Sequence, residues 1–141
     1  MTDYSKQIGF SIKRLHRLMD QRVNDLLRPY DLARSQWYAL YYIQQAGTTT
    51  QKELLEWLAV EPATLTGIVD SLVRKGVLAR SPSKADKRAK ELQLTPQGRQ
   101  LWKRLPDPIV EVNKQMLAGF DAEEAQHVRA FMDQAIKNLE K

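Results

Sequence analysis

The stretch TQKELLEWLAVEPATLTGIVDSLVRKGVLAR, residues 50–80, encodes two short helices with almost nothing between them. Thr50 is placed to cap the first helix, and Glu53, three residues on, completes a capping box. Leu54, Leu55 and Leu58 give that helix an apolar face as far as about Ala59. Val60-Glu61 leaves room only for a tight turn. Pro62 suits the first position of the second helix, because its missing N–H would have no intrahelical partner there. Leu65, Ile68, Val69 and Leu72 form its buried stripe, and Lys75-Gly76 closes it.

Downstream the period changes. Val77 to Ser81 is strand-like, Pro82 to Arg88 is a charged loop, and Glu91 to Thr95 alternates polar and apolar residues as a returning strand. Thr95-Pro96 restarts helix, with Leu101, Leu105, Ile109, Val112 and Met116 carrying it to about Gly119. Pro106 and Pro108 should kink or split that helix. A last helix has Asp121 and Glu124 as a capping box and Ala125, Val128, Met132, Ala135 and Leu139 as its stripe. Upstream, Trp37, Leu40, Tyr41 and Ile43 are candidate core residues of a helix over about Arg34 to Gln45, followed by Gly47. Before it, Ile8, Ile12, Leu15, Met19, Val23 and Leu26 mark a long amphipathic helix ended by Arg28-Pro29.

The expected fold is therefore mainly α with a small β-hairpin wing: a winged helix-turn-helix over 34–98, with outer helices in 1–30 and 100–141, in a single domain spanning 1–141. The outer helices are longer and more apolar on one face than so small a domain needs. Such stripes suggest a dimer interface, hence a homodimer.

Charge is distributed unevenly. Residues 74–104 hold ten Lys/Arg and two acids, a local excess of eight positive charges. The whole chain is only +5, so the remainder is net −3. Such a block is either a solvated face or a phosphate-facing surface. In a helix-turn-helix the start of the second helix meets base edges in the major groove. The exposed candidates there are Pro62, Ala63, Thr64, Thr66 and Gly67, with Ser71 and Lys75 further along. Small residues let a helix approach DNA closely, and threonine offers a hydroxyl and a methyl to a base. In the wing, Lys84, Asp86, Lys87, Arg88 and Lys90 are the candidates. Arg88 suits the focused negative potential of a minor groove, and Asp86 could pair with it and aim it. An exposed ion pair without function is the plainer alternative.

Asp86-Lys87-Arg88-Ala89-Lys90-Glu91-Leu92-Gln93-Leu94-Thr95 fits the D-x-R-x-x-x-x-x-L-T wing pattern of MarR-type regulators. Residues 50–54 and 72–78 resemble that family's third helix and the exit of its recognition helix. The resemblance covers nearly the whole chain and is closest to the SlyA-like branch. It implies an obligate homodimer, built from the first, fifth and sixth helices, that straddles a pseudo-palindromic double-stranded DNA operator. It also implies repression relieved by a small phenolic or anionic ligand, bound between dimerisation and DNA-binding parts. Three departures from the pattern stand out. Ala33 replaces a common threonine cap, at some local cost. Pro106 and Pro108 interrupt a usually long helix. The absence of cysteine excludes a thiol-oxidation switch, along with any disulfide or thiolate zinc site.

The first two helices flank that family's ligand pocket. His16, Arg17, Trp37, Tyr38 and Tyr41, with Tyr42, are the candidate ligand residues: a cation for a carboxylate and aromatics for a ring. Trp37 and Tyr41 also lie on a core stripe, where aromatics usually pack. No nucleophile–base set, metal-ligand spacing or phosphate-cradling glycine loop is recognisable, so neither an enzyme, a metal nor a cofactor is expected. A winged-helix protein-interaction module that does not touch DNA remains the alternative, and its mark would be a neutral wing. No apolar run approaches the ~20 residues of a membrane span, and the opening residues lack a basic-then-apolar signal. A cytoplasmic protein without a membrane partner is therefore expected.

Overall fold

The computed structural model describes residues 3–85 and 88–140. The chain divides into two compact units, Met1–Pro106 and Asp107–Lys141.

The first unit opens with α1 (Tyr4–Leu27), which a 3-10 turn at Arg28–Tyr30 terminates around Pro29. Then follow α2 (Arg34–Ala46), β1 (Thr49–Thr50), α3 (Gln51–Leu58), α4 (Pro62–Arg74), β2 (Leu78–Pro82), β3 (Lys90–Leu94) and α5 (Pro96–Arg104). The core is formed largely by the stripes read from the sequence: Val23, Trp37, Leu40, Ile43, Leu54, Leu65, Val69, Leu72, Leu78 and Leu92 are all buried, while at the end of α1 Leu27 is buried in place of the expected Leu26, which is half-buried. Both helices of the helix-turn-helix thus turn one leucine-rich face inward and leave the other to solvent.

The wing is more than a hairpin. β1 adds a third strand, giving an antiparallel sheet in the order β1-β3-β2. Thr49 pairs with Leu92 and Thr50 with Glu91, while Leu78 pairs with Leu94 and Arg80 with Leu92. A two-residue strand leaves no periodic signal, and its existence depends on a partner some forty residues away. It also changes the cap of α3. Thr50 Oγ1 accepts from the Glu53 amide at 3.1 Å as expected. The Glu53 carboxylate, however, accepts from the Thr49 hydroxyl at 3.2 Å instead of completing the capping box on Thr50, which is itself a strand residue.

The weak cap at Ala33 is compensated from neighbouring groups. Its own amide donates to Gln36 Oε1 at 2.9 Å, and the Arg34 amide donates to Asn24 Oδ1, reaching across from α1, at 2.9 Å. Two of the orphan donors of α2 are thereby satisfied without a side chain at the cap.

The helix expected over Pro96 to Gly119 is split. α5 ends at Arg104, and the second unit begins as Asp107 caps α6 (Pro108–Met116), accepting from the Ile109 and Val110 amides at 3.0 and 3.1 Å. Pro106 and Pro108 each lack a donor, so a continuous ladder could not pass through them. α7 (Ala122–Leu139) starts at the expected reciprocal capping box, with Asp121 Oδ1 to the Glu124 amide at 2.8 Å and Glu124 Oε1 to the Asp121 amide at 3.1 Å.

Each unit leaves apolar side chains in solvent. On α1, Ile8, Ile12 and Leu15 are exposed, whereas Val23 and Leu27 of the same helix are buried. On α7, Val128, Phe131, Ile136 and Leu139 are exposed. Among the described residues no helix is long and apolar enough to cross a membrane.

Candidate nucleic-acid interface and small-molecule pocket

The solvent face of α4 is built from small residues. Pro62, Ala63, Thr64, Thr66 and Gly67 are all exposed, while Leu65, Ile68 and Val69 between and beyond them face inward. The Thr66 hydroxyl donates back to the Pro62 carbonyl at 3.1 Å and accepts from Gln51 Nε2 at 3.4 Å. At Gly67 a methyl group would have no other atom within 4 Å. Nothing inside the protein therefore requires glycine there.

The far end of α4 is engaged differently. Ser71 Oγ accepts from Gln36 Nε2 at 2.7 Å. Lys75 Nζ donates to the Asp31 carbonyl and to Gln36 Oε1, and lies 3.6 Å from the Asp31 carboxylate. Both side chains are half-buried. Ser71 and Lys75 thus fasten α4 to the start of α2 and the turn before it, about one and two helical turns beyond the exposed face at Pro62–Gly67.

In the wing, Lys84, Arg88 and Lys90 are exposed. Asp86 and Lys87, and with them the expected Asp86–Arg88 pair, lie outside the described residues. The buried Ser83 closes the loop: its amide donates to the Ala89 carbonyl at 2.8 Å and its hydroxyl accepts from the Ala85 amide at 3.2 Å. Arg80, on β2, pairs with Asp70 on α4 and so couples the base of the wing to the recognition helix. The sequence signals this pair poorly, because Arg80 reads as one more member of a basic block.

The four aromatics of α2 separate into two faces. Trp37 is buried and stacks on Tyr41 at 5.3 Å between ring centroids and on Trp102 of α5 at 5.7 Å. Tyr38 and Tyr42 lie on the adjacent face, edge-on to Trp37 and Tyr41 at 5.3 and 5.6 Å, with Tyr42 against Trp57 of α3 at 5.4 Å. There they line a cavity of about 420 Å³. α1 contributes His16 and Asp20, α2 adds Arg34, α3 adds Trp57, and α4 adds Thr64 and Ile68. Of the candidate ligand residues, His16, Tyr38 and Tyr42 come together here. Arg17 is exposed and does not line the cavity, while Trp37 and Tyr41 belong to the aromatic stack. Asp20, Arg34, Trp57 and Thr64 were not among the candidates. Only Asp20 carries a local signal, standing one helical turn from His16.

The cavity wall is polar but internally balanced. Asp20 lies 3.3 Å from His16 Nε2 and 3.5 Å from Arg34 Nε. That Arg34 nitrogen is buried and makes no hydrogen bond among the described residues. Burial raises the pKa of the Tyr38 phenol above its ordinary value. The Arg34 charge opposes the shift, while Asp20 and Tyr42 add to it. Tyr38 therefore presents a neutral hydroxyl, able to donate and to accept.

Comparison with known proteins bears on both features. The MarR family model matches residues 32–90, from two residues before α2 to the first residue of β3. The uncharacterised HTH-type transcriptional regulator YwoH of Bacillus subtilis is 30% identical over 138 residues, covering 95% of this chain and all of that protein. PecS of Dickeya dadantii, also an HTH-type transcriptional regulator, is 27% identical, over 92% of this chain and 80% of its own length. Among solved structures, a mutant of E. coli MarR complexed with operator DNA superposes with a TM-score of 0.84 at 25% identity, covering 94% of this chain and 96% of that one. BpsR of Bordetella bronchiseptica, whose DNA binding is regulated by 6-hydroxynicotinic acid, shares the fold with a TM-score of 0.78 at 20% identity, over 92% and 98% of the two chains.

Proposed function

The chain belongs to the MarR family of DNA-binding transcription regulators, and from that premise we propose that it is a repressor that binds a pseudo-palindromic operator as a homodimer and is released by a small ligand. The observation that carries the reading is the exposed face of α4 at Pro62–Gly67, bare of large side chains and free of any internal need for glycine. Pro62, Ala63, Thr64, Thr66 and Gly67 meet bases in the major groove. Lys84, Arg88 and Lys90 follow the adjacent backbone and minor groove, with Asp86 and Lys87 assigned to the same wing from the sequence. Ser71 and Lys75 hold α4 in place and reach DNA less directly. The basic wing argues against an interaction module that avoids nucleic acid.

The exposed apolar residues of α1 and of α7 supply the dimer surface. The likeness to the MarR–operator complex supports the DNA partner, and BpsR supports small-molecule control of this fold. The effector seats in the cavity between α1, α2, α3 and α4, where Tyr38, Tyr42 and Trp57 suit a phenolic ring. The cytoplasm, where chromosomal DNA is reached, is its place of action. The deciding experiment recovers bound fragments from sheared genomic DNA and reads their consensus. An inverted repeat of roughly 16–20 bp is expected. Recovery of fragments with no shared sequence at moderate salt would refute a sequence-specific regulator.

A further inference from the structure

The cavity seen above contains both an arginine and an aspartate, and the aspartate reaches the arginine first. Asp20 stands 3.5 Å from Arg34 Nε and 3.3 Å from His16 Nε2. These three, with Tyr38 and Tyr42, are the titratable groups lining the wall. Asp20 is only about a quarter exposed and Arg34 about two fifths, so their charges act on a ligand through little water.

We infer that Asp20 makes this a pocket for an uncharged planar aromatic, such as a carboxamide or lactam, and that it excludes the corresponding carboxylate. The inference rests on the effector reading above and narrows its ligand. A ligand carboxylate brought to Arg34 meets a guanidinium whose charge is already balanced. It must shed its own hydration beside a second carboxylate, and the desolvation is left uncompensated. A carboxamide loses far less on entering. Its carbonyl can accept from the exposed part of the Arg34 guanidinium, and its amino group can donate to Asp20. The ring lies against Tyr42 and Trp57, and Thr64 places the occupied pocket in contact with the recognition helix.

Asp20 is therefore a specificity-determining residue, and Asp20→Asn should free the Arg34 charge for an anion. The test uses naphthoate and naphthamide, nearly isosteric but differing in charge, titrated by calorimetry into the whole protein at one pH and ionic strength. The wild type should bind naphthamide at least about tenfold more tightly, since a carboxylate whose desolvation beside an already paired guanidinium is left uncompensated loses at least about one decade of affinity. In Asp20→Asn the preference should vanish or invert. Equal or tighter binding of naphthoate by the wild type overturns the inference while leaving the pocket intact. Binding of neither probe by either protein overturns the effector reading itself. The wild-type ratio alone decides the matter if the variant fails to fold.

Discussion

Gly67 is the sixth residue of α4, exposed, in helical conformation, with nothing within 4 Å of where a methyl would stand. A glycine inside a helix costs about 0.8–1.0 kcal/mol relative to alanine. Gly67→Ala should therefore stabilise the protein by about that amount. For 141 residues and an unfolding entropy of about 2.1 cal/mol/K per residue, the gain corresponds to a rise of about 3 °C in Tm. If this face lies against DNA, the same methyl enters a packed contact, where one added carbon costs about 1–3 kcal/mol. Operator affinity should accordingly fall by about tenfold or more. Thermal unfolding at fixed protein concentration reads the first effect, and fluorescence anisotropy on a labelled operator at fixed salt reads the second. The opposed signs carry the reasoning, since a general defect would lower both. Higher stability with unchanged operator affinity would show that the open face of α4 does not meet DNA. An unchanged Tm would show that the glycine is not a simple helical liability.

Gly98 makes the contrasting case, because a methyl there would lie 2.0 Å from the Val77 carbonyl oxygen, which already accepts from the Thr95 amide at 3.1 Å. Gly98→Ala should cost about 2–3 kcal/mol and lower Tm by about 7–10 °C, and a shift under about 2 °C would contradict the packing described. Arg88→Ala should weaken operator binding strongly with little change in Tm, whereas Lys84→Ala should weaken all sequences alike and flatten the salt slope by about one unit; unchanged affinity in both would remove the wing from the interface. Inserting about 5 bp between operator half-sites should abolish tight binding by turning one half-site to the opposite face of the duplex. Sedimentation should give a dimer at micromolar concentration, and a folded monomer there would leave the exposed stripes of α1 and α7 without the proposed partner.

Periodicity and caps are properties of residues within a few positions of one another, and they made most of the architecture legible from the amino-acid sequence. The leucine stripes of α3 and α4, the proline opening α4, the alternation in β3 and the Asp121–Glu124 box each specify their element locally. The basic wing and the bare face of α4 were legible for the same reason. What depended on distant partners was not. β1 exists because Thr49 and Thr50 find Leu92 and Glu91, and Lys75 is tied down because the chain returns Asp31 and Gln36 to it. The α2 aromatics show the limit most plainly. Positions 37 and 41 share one helical face and positions 38 and 42 the next, but both faces are aromatic, so periodicity alone could not say which is core. Only the arrival of Trp102 on one side and of Trp57 and Asp20 on the other makes the first pair packing and the second a pocket wall. Burial is decided by what a face meets, and that is a contact between residues the sequence keeps far apart.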